Sequence, residues 1–211
     1  MTQSNERLRD AERTRAEVLS VATEVFADMG YSGARVDEIA QRTRTTKRMI
    51  YYYFGGKEQL YLAALENAYR GIRRAEQQLD VGGLPPADAL RRLAHLTFDH
   101  HLEHVEFVRL VAIENIHRGE SIRAIDAVQD MGKPAVSLLD RIIAQGQQQG
   151  VLRPEVTALD THLLISSYCV FQIANQYTFS HLFDPEFTSP ERREQMRTLI
   201  GDAVLAWARA A

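Results

Sequence analysis

Lys47, Arg48, Tyr51, Tyr52 and Lys57 fall within one short stretch of this 211-residue chain, and their types suit contact with a polyanion. Lysine and arginine pair with phosphate, and either can donate to O6 and N7 of guanine in the major groove. Phenolic hydroxyls donate to phosphate oxygens. No acidic residue stands between Glu38 and Glu58, while Arg42, Arg44, Lys47, Arg48 and Lys57 supply five positive charges. A local basic patch mixed with hydroxyl donors is the electrostatic footprint of a nucleic-acid surface. The competing reading is a solvated charged helix face over an aromatic core, to which Tyr53 belongs.

Two short helices must hold these side chains. The first, Val36–Arg42, turns Val36, Ile39 and Ala40 inward and carries Asp37 and Glu38 in its first turn, where the helix dipole favours negative charge. The second runs from Thr46 to about Tyr53, with Met49, Ile50 and Tyr53 toward the core. Thr43, Arg44 and Thr45 form the break. Two short helices across such a turn give a helix-turn-helix over about residues 36–53. The start of the second helix then enters the major groove, so Lys47 and Arg48 are the expected base readers. Thr46 caps that helix and touches phosphate or a base edge. Lys57 opens the next helix, whose free N–H groups favour an anion.

The overall charge of −3 argues against DNA binding until it is divided. Residues 1–57 hold ten Lys and Arg against eight Asp and Glu; residues 58–211 hold fifteen against twenty. The basic character is local. A hydrophobic content of 45% supports a real core. Cys169 is the one cysteine, which excludes an intrachain disulfide and points to a reducing cytoplasm. The polar first twenty residues predict no signal peptide, and no apolar run is long enough for a membrane span.

Along the chain every pattern is helical and no strand or repeat stands out. Residues 1–9, with Arg7 and Arg9, read either as a frayed terminus or as an arm on the DNA backbone. A helix from Asp10 to Met29 follows, with Leu19, Ala22, Phe26 and Met29 as its stripe and Gly30 as its C-cap. A long helix runs from Lys57 to about Leu79, and residues 80–86 are the clearest linker. Further helices cover Ala87–His101, Val105–His117 and a short piece at Ser121–Asp130. Pro134 opens another, stopped by Gly146 and Gly150. Thr157 caps a long apolar stretch reaching Phe183, and Ser189-Pro190 starts the last helix.

With that helix order in place, the chain resembles the TetR family of bacterial transcription regulators. The resemblance rests on Arg13 and Arg15, on ADMGYSGARVDEIA and on IYYYFGGKEQLY, and covers residues 10–65. It implies an all-α fold: a three-helix DNA-binding unit (1–57) joined by a long helix to a helical effector-binding and dimerisation domain (58–211). It implies a regulator that binds palindromic double-stranded operator DNA as a homodimer and is released by a small molecule. A repressor is the expected form, with an activator as the alternative. No catalytic residue, metal or cofactor is expected, and no membrane partner. Tyr51, Tyr52 and Lys57 match positions that grip phosphates in the family. Three positions depart from its pattern. Arg44 stands where glycine is common, and costs about 1 kcal/mol if its φ is positive. Arg35 replaces the Thr or Ser cap before Val36, and Gly56 replaces Ser before Lys57. These changes soften the local structure and add positive charge. The expected DNA surface is Arg35, Arg44, Thr45, Thr46, Lys47, Arg48, Tyr51, Tyr52 and Lys57.

The remaining candidates lie beyond Gly83. The expected effector pocket is His95, Phe98, Leu102, Arg109, Ile113, His117, Tyr168 and Gln172. An inward Arg109 favours an anionic effector such as a carboxylate; the alternatives are a surface position or a pair with Glu106 or Glu114. His100, His101 and His104 invite a metal hypothesis, since His100 and His104 share a helix face; the rival is a polar helix end near a turn. Leu163, Leu164, Val170, Phe171, Leu199, Val204 and Trp207 are expected at the dimer interface, formed by the last two long helices, and in the core. Cys169 reads as a small core residue. A helical metal-dependent enzyme, or an interaction protein with a vestigial DNA unit, are the rivals from other classes.

Overall fold

Apolar residues recurring at three and four positions build ten α-helices in a computed structural model of the chain. It describes residues 2–210, and the side chains of these apart from 2–8, 127–131, 134 and 135. Among the described residues the only β pairing is an isolated bridge between Leu152 and Arg209. The helices are α1 (Thr2–Gly33), α2 (Val36–Arg42), α3 (Lys47–Phe54), α4 (Lys57–Gln78), α5 (Pro86–Glu103), α6 (Val105–Ile116), α7 (Asp126–Gln148), α8 (Ala158–Ala174), α9 (Gln176–Leu182) and α10 (Pro190–Ala208). A 3-10 turn at Ile122–Ala124 precedes α7.

The chain divides into two compact units: residues 1–69 with 109–128, and residues 70–108 with 129–211. In the first, Val25 and Phe26 of α1, Ile39 of α2, Ile50 of α3 and Leu60 of α4 are almost wholly buried together. Each such side chain contributes about 1.5–3 kcal/mol of burial, which fixes the angle between α2 and α3. Leu110 and Ile125 join this core, so the unit takes in more chain than residues 1–57. The Tyr61 hydroxyl donates to buried Glu114 at 2.8 Å, and Glu114 also accepts from Ile122 N at 3.0 Å, tying α4 to α6. The second unit gathers Leu90, Phe98, Leu139, Ile200 and Val204 around α5, α7, α8 and α10.

Several boundaries differ from the expectations. α1 begins at Thr2, so the first residues are helical rather than frayed; the Arg7 side chain lies outside the described residues. Gly30 breaks α1 with φ 67°, as its cap role requires. Residues 80–86 connect α4 to α5 inside the second unit and are no boundary between units. α7 starts at Asp126 and runs through position 134, so the helix opens before the proline expected to start it. It also runs through Gly146, whose role is close approach: a Cβ there would meet the Leu152 side chain at 2.4 Å. The apolar stretch 157–183 is two helices, broken at Asn175, whose side chain donates to the Phe171 carbonyl. Thr157 and Ser189 cap α8 and α10 as expected, accepting from Asp160 N and Arg192 N, each at 3.1 Å.

Candidate nucleic-acid interface

The turn between α2 and α3 is built from residues 43–46. The Thr43 hydroxyl, buried, donates to the Ile39 carbonyl at 2.8 Å and closes the end of α2. Arg44 has φ 49°, the left-handed conformation in which glycine is common, so its side chain is held there at a backbone cost. Thr45 N donates to the Ala40 carbonyl at 3.0 Å. The Thr46 hydroxyl accepts from Met49 N at 3.2 Å and caps α3. This cap points the free N–H groups of α3 outward beside the first two helical residues, Lys47 and Arg48.

Lys47 and Arg48 are both exposed, but their situations differ. Lys47 pairs with Asp37 of α2 at 3.1 Å, so it must exchange that partner to reach a base. Among the described residues Arg48 has no hydrogen-bond or ion-pair partner, and its side chain is exposed. Arg42, one of the five cations of the sequence patch, is taken by Glu24 of α1. Tyr52 is 78% exposed and Tyr51 42%, while Tyr53 packs against the unit's core. Arg35 is exposed at the start of α2 and makes no cap hydrogen bond, consistent with its departure from a Thr or Ser cap.

Gly55 ends α3 with φ 84°, a conformation that L side chains rarely adopt, and so permits the reversal into α4. Lys57 then opens α4, and its ammonium lies 4.7 Å from the centroid of the Tyr31 ring. A cation–π contact holds the side chain without spending its charge on a carboxylate. Tyr31 itself is braced by Phe26 and Tyr61. Sequence reasoning missed Tyr31, Glu24 and the Asp37 pair, since none is a neighbour in sequence of the cation it touches. All nine expected DNA residues lie in the first unit. Arg44, Thr46, Lys47, Arg48, Tyr51 and Tyr52 crowd the turn and the outer face of α3.

The expected effector residues are divided between the two units. Arg109, Ile113 and His117 fall in the first unit; His95, Phe98, Leu102, Tyr168 and Gln172 fall in the second. Arg109 pairs with Asp28 of α1. His117 is exposed after the end of α6, and Ile113 is half-buried. Phe98 is sealed in the second unit's core, against which Leu102 and Tyr168 pack. His95 lines a groove of 350 Å³ with Arg91, Arg92, Asp99 and Arg197. Gln172 is buried with its amide nitrogen unpartnered. His100 and His101 lie in the last turn of α5, as a helix end, but they are buried there, 7% and 4% exposed. The His100 and His104 rings stack at 4.1 Å rather than converge on a point, and among the described residues no cluster suited to a metal ion occurs. Cys169 is fully buried, and burial raises its thiol pKa.

A capped recognition helix with outward cations, set on a three-helix core, defines a helix-turn-helix DNA-binding regulator. Residues 18–64 match the family model of bacterial regulatory proteins of the tetR family, and residues 86–204 match that of the tetracyclin repressor-like C-terminal domain. The chain is 34% identical over 199 residues to the transcriptional repressor NicS of Pseudomonas putida, covering 94% of each. It is 44% identical over 65 residues to the transcriptional activator FasR of Mycolicibacterium smegmatis, covering 29% of this chain and 30% of that one. The crystal structure of a putative transcriptional regulator, SCO4942 of Streptomyces coelicolor, superposes with a TM-score of 0.68 at 27% identity, over 90% of this chain and 97% of that one. This chain belongs to the TetR family of bacterial transcription regulators.

Proposed function

We propose that the protein is a repressor that binds a palindromic operator as a homodimer and lets go when a small molecule enters its second unit. Arg48, exposed and without a partner among the described residues at the capped start of α3, carries the sequence-reading part. The similarity to a repressor over nearly the whole of both chains favours repression; the shorter similarity to an activator is confined to about a third of the chain and concerns DNA binding as much as outcome. Arg44, Thr46, Tyr51, Tyr52 and Lys57 supply phosphate contacts in this reading, and Arg35 and Thr45 flank them. An operator-binding protein works where the chromosome is, which places it in the cytoplasm.

The homodimer is supported by an apolar face on α8 and α10. Leu159 and Leu163 are 67% and 65% exposed, and Leu199 is 52% exposed. Val170 and Ala174 continue the α8 stripe at helical spacing, and Ala203 and Ala206 continue that of α10. Exposed leucines rimmed by small residues on neighbouring helices suit close helix packing with a second copy. Val204 is buried and belongs to the core instead.

The test is binding to the intergenic DNA beside the protein's own gene, at two salt concentrations, against random DNA of equal length. A site-specific complex holding two subunits supports the reading. Weak binding that is equal on both DNAs and falls steeply with salt refutes it for that site.

A further inference from the structure

The second unit holds a cleft of 550 Å³, within the usual range for small-molecule sites, lined by the end of α4, the loop that follows it, and α7. Leu79, Val81, Ala89, Leu138 and Ile142 give it an apolar wall. Three charged residues also line it. Asp80 and Arg141 are exposed, but the Glu76 side chain is only 6% exposed. A buried carboxylate beside an open cleft must be satisfied from within the fold or from the cleft.

The fold satisfies half of it. Arg73, one turn back on α4, donates through Nη1 to Glu76 Oε2 at 2.5 Å. The contact is single. Arg73 Nε is buried with no partner, and among the described residues Glu76 Oε1 accepts no hydrogen bond. A bidentate pair would have used both oxygens. Burial raises the Glu76 pKa, and the Arg73 charge offsets only part of that rise. The carboxylate is therefore short of N–H donors and of positive charge, and its free oxygen belongs to a residue that lines the cleft.

The sign of an occupant follows. Among the described residues lining the cleft, Glu76 and Asp80 are acidic and Arg141 is the one base. Asp80 Oδ1 accepts from Gly82 N at 2.9 Å, which holds this second carboxylate in the loop beside the cleft. An ammonium or amidinium donates N–H to a carboxylate oxygen and brings the charge that a buried carboxylate lacks. A carboxylate ligand would meet Glu76 as a like charge.

We propose that the cleft seats a small organic cation, an amine or amidine on an apolar body, with its N–H groups on Glu76 Oε1 and its body along Leu79, Leu138 and Ile142. The inference rests on the ligand-release reading above and gives the effector a chemical class. α4 is one helix from Lys57 to Gln78, so a ligand held by Glu76 acts on the helix that Lys57 opens.

The test uses the full-length protein with butylamine, hexylamine, benzylamine and benzamidine, each beside an uncharged counterpart (the alcohol, or benzamide) and the matching carboxylate. Binding is read by calorimetry and from the thermal midpoint, and operator retention is read in parallel. At least one cation binds and raises the midpoint, and its uncharged and acidic counterparts bind about tenfold or more weakly. Glu76→Gln, with its helical spectrum retained, loses about tenfold or more of the cation's affinity. If that variant misfolds because the Arg73 charge is left buried without its carboxylate, Arg73→Gln/Glu76→Gln removes both charges and serves in its place. Arg141→Gln holds the cation at least as tightly, since it takes a like charge out of the same cleft. Equal binding of cation and alcohol, tighter binding of the acid, no cation bound at millimolar concentration, or undiminished binding by the Glu76 variant overturns the seat, and the regulator stands if the operator is still bound. A cation that binds through Glu76 and leaves the operator in place confirms the seat and refutes its part in release.

Discussion

Arg48 and Lys57 are both cations in the first unit, yet they are predicted to fail differently. Arg48→Ala is expected to weaken the specific site by about 1–3 kcal/mol and relax base choice where it reads. Lys57→Ala is expected to weaken all DNA about equally and to flatten the dependence of log K on log salt by about one unit. Filter binding on specific and random DNA over a salt series separates the two; parallel losses in both variants would remove Arg48 as a reader. Arg44, held at φ 49°, sets stability against binding. Arg44→Gly should raise unfolding stability by about 0.5–1 kcal/mol and lower DNA affinity, as measured by urea denaturation and operator titration. A loss on both counts would contradict the strain. The sequence made the cations legible because acids are absent around them. It left their partners hidden: Glu24 lies eighteen residues from Arg42, and Asp37 ten from Lys47.

Helix ends that depend on local chemistry were readable, and those that depend on distant packing were not. Thr46, Thr157 and Ser189 cap helices because hydroxyls satisfy nearby N–H groups, a signal contained in a few adjacent residues. Gly146 read as a stop because its partner, Leu152, meets it only through the fold. His100 and His101 read as a polar helix end because the elements that bury them are remote in sequence. Their burial has a consequence for acid stability. Both are held down to about 4 from an ordinary 6.5, first by burial. Between those values the unfolded chain binds protons that the folded chain refuses. Stability is therefore complete above the unfolded pKa and is lost as pH falls through this window, by on the order of 1–3 kcal/mol. Urea midpoints measured from pH about 7 down to about 4.5 should fall, and a His101→Gln variant that still folds should show a shallower fall. Equal slopes would contradict the burial of neutral imidazole.

The whole molecule combines a unit that was largely legible with one that was not. Residues 36–57 carry a dense local code of caps, turn and charge, and its cations Arg44, Lys47 and Arg48, like Arg35 just before it, are exposed. The second unit is held by apolar residues whose pattern specifies helices but not which faces stay open. Leu163 is one such face, and its replacement tests the dimer: Leu163→Glu should shift sedimentation from dimer to monomer and weaken operator binding, with the helical spectrum retained. A variant that remains dimeric would place the interface elsewhere. The most direct test of sequence-specific reading by α3 is selection of bound sites from a random DNA library, run with the wild-type protein and with Arg48→Ala. Wild type should enrich one palindrome with two equal half-sites, and Arg48→Ala should lose preference at the symmetry-related position in each half. No enriched sequence with wild type, or the same sequence from both proteins, would contradict the assignment.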